Sequence, residues 1–281
     1  MITAEQHTEL TRWGITAVEP VEHQPDVWWA RRGDAHVVVK TGDVDDRRRE
    51  AAALRSYASG AVAVVAHDVS SGLLVVDRAL PGDDIRPLAR IDDDAATTVI
   101  AELITTLHAE QMAVNDGLPA LSAIASAFDR PDDPRLPPPV VSAARHTMDD
   151  LLADPVVPVV LHGDLHHMNV LNDAWRTGSP DSWTAIDPHG WLGDPAFEPA
   201  AMLANPRNMV ESGDARGMDG RELAQRLERR AAIFAEVTGM DVARIRAWAL
   251  VGCVIAELWM IESHNLVHGA PLSVAQSLLS A

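Results

Sequence analysis

Val159-Val160-Leu161-His162-Gly163-Asp164-Leu165-His166-His167-Met168-Asn169-Val170-Leu171 sets an aspartate, and an asparagine five residues later, between two apolar strands. Phosphoryl transfer needs a carboxylate to orient the attacking hydroxyl and accept its proton, with an oxygen ligand for magnesium close by. Asp164 and Asn169 supply both at a workable spacing. Eighteen residues beyond Asn169, Ile186-Asp187-Pro188 puts a second carboxylate at a strand end, suited to a hard metal that bridges phosphates. A zinc hydrolase is the rival, because His162, Asp164, His166 and His167 crowd together. That reading leaves Asn169 and Asp187 without a task.

Working upstream, the same chemistry asks for a strand lysine that touches phosphate and a helical glutamate that holds it. Ala35-His36-Val37-Val38-Val39-Lys40 reads as a β-branched strand ending on a lysine. Residues 43–54 follow as a helix with acids in its first turn, and Glu50 shares a face with Leu54 and Tyr57. Glu50 is the only glutamate between Glu22 and Glu102, and Lys40 is the only lysine among 23 basic residues. Further strands are expected at 61–66 and 73–77, and Pro81-Gly82-Asp83-Asp84 is a turn. Helices then dominate: 92–110, 140–152, 221–237 and one starting after Asp241. The five prolines of 130–139 predict a loop. Short strands at 156–161 and 183–186, with a turn at Gly178-Ser179-Pro180, interrupt the helical part. The expected fold class is α+β, with two lobes: residues 1–80 small and strand-rich, residues 81–281 mainly helical.

Composition narrows the function. The formal net charge is −18, the opposite of a nucleic-acid footprint. Such a field attracts cationic partners, or it serves solubility alone. No apolar run approaches the roughly 20 residues of a membrane span, and the N-terminus lacks the pattern of a signal peptide. A lone cysteine, Cys253, makes no intramolecular disulfide and points to the cytoplasm. Monomer and dimer both remain open.

The loop motif, together with Ala185-Ile186-Asp187-Pro188-His189-Gly190-Trp191-Leu192-Gly193-Asp194-Pro195-Ala196-Phe197-Glu198 and the tail Trp259-Met260-Ile261-Glu262, resembles the aminoglycoside phosphotransferases. The similarity is strongest to their streptomycin-type and hydroxyurea-type resistance kinases, and covers about residues 35–265. It implies a protein-kinase-like fold, ATP or GTP with Mg2+, Asp164 as catalytic base, and Asn169 and Asp187 as metal ligands. Lys40 and Glu50 would position the phosphates, and Asp77, Arg78 and Ala79 would present backbone to the base. Three features depart from the family pattern: residues 24–33 hold one glycine where a glycine-rich loop is expected, Glu198 stands where aspartate is more common, and His189 stands where other residues are common.

On the acceptor side, Glu198, Glu257 and Glu262 are the candidate contacts for a cationic antibiotic. Glu257 falls inside an apolar helix, where it needs either an arginine or a ligand. Trp191 and Trp259 are either stacking platforms or core. A streptomycin-type aminoglycoside is the first choice of acceptor. A basic cyclic peptide of the viomycin or capreomycin type is an alternative, as is choline, an amino alcohol or a sugar. A nucleotide-binding pseudokinase is the non-enzyme alternative, and the intact set Lys40, Glu50, Asp164, Asn169 and Asp187 argues against it.

Overall fold

Alternating burial along Val37, Val38 and Val39 seats β3 (Ala35–Lys40) in the middle of an antiparallel sheet. The computed structural model describes residues 2–111, 117–130, 133–205 and 220–280. The sheet runs in the order β1 (Ile15–Val21), β2 (Gln24–Arg32), β3, β5 (Leu73–Asp77), β4 (Val64–Asp68). One face packs Trp28, Ala30, Val37 and Val39 against Leu10 of α1 (Ala4–Arg12). The other face meets α2 (Val44–Ser56), which follows β3 directly and is N-capped by Asp43.

The remainder is mainly helical and is built around α9 (Val242–His264). Its Ile245, Trp248, Val251 and Ile255 are buried in the largest core cluster. Against α9 pack α5 (Pro138–Ala153), α7 (Pro199–Ala204), α8 (Gly220–Thr238) and α10 (Ala270–Ser280). α3 (Arg86–Ile91) leads into α4 (Asp93–Ala109), which packs on α8. Two small ribbons lie between sheet and helices: β6 (Val159–Leu161) with β9 (Trp191–Gly193), and β7 (Val170–Asn172) with β8 (Trp183–Ala185). Among the described residues no helix is long and apolar enough to cross a membrane.

Several boundaries differ from expectation for local reasons. The strand expected at 61–66 begins at Val64, because Ala61 and Val62 bridge to Ala185 of β8 instead. β6 starts only at Val159: Pro155 and Pro158 lack the N–H a ladder needs, and Val157 is 84% exposed. The proline-rich loop ends early, with Pro138 and Pro139 opening α5, where a missing N–H costs nothing. Residues 131–132 of that loop lie outside the described residues. Gly178, at φ 75°, closes a short helix, α6 (Ala174–Thr177), inside the β7–β8 connection.

Candidate active site

His162 leaves β6 and braces the loop that follows. Its Nε2–H donates to Ile186 O at 2.7 Å, and its Nδ1 accepts from the Asp164 N–H at 3.3 Å. Burial pushes its pKa down to about 4, so the ring is a neutral strut. Gly163 sits at φ 77°, and a Cβ there would lie 2.6 Å from Trp191 Cδ1, so both backbone and space demand glycine. The Gly163 N–H donates to Glu198 Oε1 at 3.3 Å.

This bracing presents Asp164 to a cavity of about 850 Å³ that Asn169, Asp187, Trp191, Trp259 and Glu262 also line. The Asn169 amide nitrogen donates to Asp164 O at 2.9 Å and to Asp164 Oδ2 at 3.3 Å. Its amide oxygen is therefore the group left for a cation. His166 Nε2 and His189 Nε2 flank Asp164 Oδ2 at 3.6 and 3.8 Å. Asp187 follows β8 in the left-handed region at φ 59°, a strained conformation for a non-glycine residue. The Ile186 N–H donates to Asn169 O at 3.0 Å, which ties the two candidate metal ligands together. An amide oxygen and a carboxylate suit magnesium better than zinc.

Above this floor, Lys40 Nζ lies 2.5 Å from Glu50 Oε1, both side chains are buried, and the ammonium also contacts Asp187. Burial lowers the Lys40 pKa, and Glu50 opposes that shift. Arg47 pairs with the other Glu50 oxygen. At the back, the Arg78 N–H donates to His36 O at 3.2 Å, and its guanidinium stacks over Trp29 at 3.8 Å. Asp77 and Ala79 flank it, and Ala79 packs beside Leu171 and Ile186.

The three candidate acceptor carboxylates separate. Glu262 lines the cavity, 2.5 Å from Arg130. Glu198 and Glu257 are each 1% exposed, which corrects the expectation for both. Glu198 lies behind the loop that carries Asp164: its Oε1 accepts from the Gly163 amide, and its Oε2 is buried without a hydrogen-bond partner among the described residues. Glu257 accepts from the N–H groups of His268, Gly269 and Leu272, at 2.7, 2.7 and 3.2 Å. Neither an arginine nor a ligand is needed to satisfy it. The zinc alternative also fails on geometry. Both His162 nitrogens are committed to backbone, and buried His167 has the cations Arg230 and Arg86 among its neighbours, beside His166 and Asp84.

Sequence reasoning missed the contribution of α2. Asp46, Arg47 and Arg49 all line the cavity, and the Arg49 guanidinium lies 5.4 Å from the Trp191 ring centre. Once Glu50 is placed, Arg47 follows from its i,i+3 spacing.

Comparison with known proteins shows the family and the fold. The family described as "Aminoglycoside/hydroxyurea antibiotic resistance kinase" matches residues 14–263. A streptomycin 3''-kinase of Klebsiella pneumoniae is 30% identical over 234 residues, covering 82% of each chain. A streptomycin 6-kinase of Streptomyces griseus is 31% identical, covering 77% of this chain and 67% of its own. Among solved structures, the choline kinase LicA from Streptococcus pneumoniae superposes with a TM-score of 0.66 at 15% identity, over 99% of this chain and 98% of that one. The fold is accordingly protein-kinase-like.

Proposed function

Because the chain belongs to the aminoglycoside/hydroxyurea antibiotic resistance kinase family, we propose that this phosphotransferase moves the γ-phosphoryl group of ATP to a hydroxyl of a cationic antibiotic, first of all a streptomycin-type aminoglycoside. The observation that carries the reading is the convergence of Asp164, Asn169 and Asp187 on one cavity floor, beneath the Lys40–Glu50 pair.

The chemistry assigned to each residue follows from its environment. Asp164 takes the proton of the acceptor hydroxyl, and its Oδ2 is steadied by the Asn169 amide. Lys40, aligned by Glu50, meets the phosphates with its ammonium, leaving its contact with Asp187 to do so. Asn169 and Asp187 would hold magnesium, which would supply positive charge against the phosphates. Asp77, Arg78 and Ala79, in the linker between sheet and helices, would present backbone groups to the base, and a purine of either ATP or GTP fits that description. Trp191, Trp259 and Glu262 line the acceptor end of the cavity. A cytoplasmic setting suits the single cysteine, which is buried and reduced.

An ADP-coupled assay against streptomycin, capreomycin, hydroxyurea and choline tests the acceptor. Streptomycin should be turned over fastest, with magnesium required. Asp164→Asn should lower turnover by about 100- to 10,000-fold while leaving nucleotide affinity nearly unchanged. Near wild-type turnover in that variant would remove Asp164 from the mechanism.

A further inference from the structure

A triphosphate needs more donors than one lysine, and the hairpin that would cover it here offers none of the usual kind. β1 and β2 are joined at Glu22 and His23, with His23 at φ 61° and no glycine at the tip. The charged residues around that tip, Glu22 and Asp26, are acidic and repel phosphate. The missing positive charge is found on α2. Arg47 lies one turn before Glu50 and shares its carboxylate with Lys40, so the three side chains together carry one net positive charge.

Arg47 is also placed where phosphate must pass. It lines the same cavity as Asn169 and Asp187, and its side chain is 25% exposed, neither sealed in nor free in solvent. Its Nε is buried and has no hydrogen-bond partner among the described residues. Gly42, which follows the lysine strand, neighbours the side chain: a Cβ there would stand 3.5 Å from that nitrogen, an ordinary contact. Arg47 and Lys40 sense each other, since the guanidinium adds to the lowering of the lysine pKa.

The geometry points to Arg47 as a second triphosphate-binding cation, reaching the β- and γ-phosphoryl groups from α2 in place of a glycine-rich cradle. This rests on the phosphotransferase reading above. A guanidinium offers a planar fork of donors that matches phosphate oxygens, and charge-assisted bonds of this kind change affinity by about 10- to 100-fold.

Calorimetric titration of Arg47→Ala and Arg47→Lys with magnesium and adenosine, AMP, ADP or a non-hydrolysable ATP analogue tests the assignment. Arg47→Ala should weaken the ATP analogue about 10- to 100-fold, and ADP by less, with adenosine and AMP within twofold of wild type. Arg47→Lys should recover part of the loss, and the KM for the acceptor should stay unchanged. If Arg47 only aligned Glu50, kcat would fall while affinity for the ATP analogue stayed within twofold, and that result overturns the assignment. A wild-type protein that binds adenosine but discriminates no phosphate chain would overturn it as well. One that binds no nucleotide at all would overturn the phosphotransferase reading together with it.

Discussion

Buried histidines on either side of Asp164 make the fold sensitive to acid. Burial pushes the His162 pKa down to about 4 and that of His167 to about 3. In the unfolded chain both titrate near 6.5. The unfolded state therefore binds up to two more protons than the native state below that value. Stability is complete above pH of about 6.5 and is lost as pH falls toward about 4, by at most about 2.7 kcal/mol per pH unit from the pair. Urea unfolding at pH 7.5, 6.0 and 5.0 reads this slope. His167→Leu should remove roughly half of it without sacrificing a hydrogen bond, since neither ring nitrogen has a partner among the described residues. An equal slope in that variant would mean that His167 is protonated in the folded protein. In the sequence these histidines suggested zinc, because spacing reports neighbours along the chain and says nothing of ring direction. Lys40, Asp164, Asn169 and Asp187 were legible because each belongs to a pattern with an order. Whether Glu198 and Glu257 face a cleft or a backbone amide is a three-dimensional fact, and the sequence does not carry it.

Glu257 shows how one helix organises another. Three N–H groups around the start of α10, those of His268, Gly269 and Leu272, have no partner within their own helix, and the α9 carboxylate accepts from all of them. Glu257→Ala should therefore cost about 3 kcal/mol, and Glu257→Gln less, because the amide keeps one acceptor. Thermal or urea denaturation measures that loss. At temperatures where the variants remain folded, kcat and both KM values should match wild type. A raised acceptor KM at full stability would return Glu257 to the cleft. The long helices were readable from the sequence because apolar spacing and capping residues agree, as at Asp43, Asp92 and Asp241. The β1–β2 hairpin was not, because only Trp28 and Ala30 of β2 are buried, too few to mark a strand. α10 was also missed: its N-terminus is completed by a residue of another helix.

At the scale of the whole molecule, a formal charge of −18 surrounds a cavity whose own carboxylates are largely compensated. Asp46 is paired with Arg49, Glu50 with Arg47, and Glu262 with Arg130. Attraction of a cationic antibiotic must then come in two parts. The outer field concentrates cations near the protein, and it is screened over a Debye length of about 8 Å at physiological salt. Inside, a ligand cation competes with Arg130 for the half-exposed Glu262. Raising ionic strength should therefore increase the acceptor KM several-fold, and the nucleotide KM less, since the nucleotide is an anion that this field does not attract. Glu262→Gln should raise the acceptor KM at every salt concentration while leaving its salt dependence intact, because one neutralised carboxylate barely changes the outer field. Steady-state kinetics from low to physiological salt, on wild type and Glu262→Gln, separate the two parts. An acceptor KM indifferent to both salt and the substitution would mean that the acceptor carries no charge. The acidic surface would then serve solubility, and a neutral hydroxyl compound would replace the antibiotic as the molecule phosphorylated.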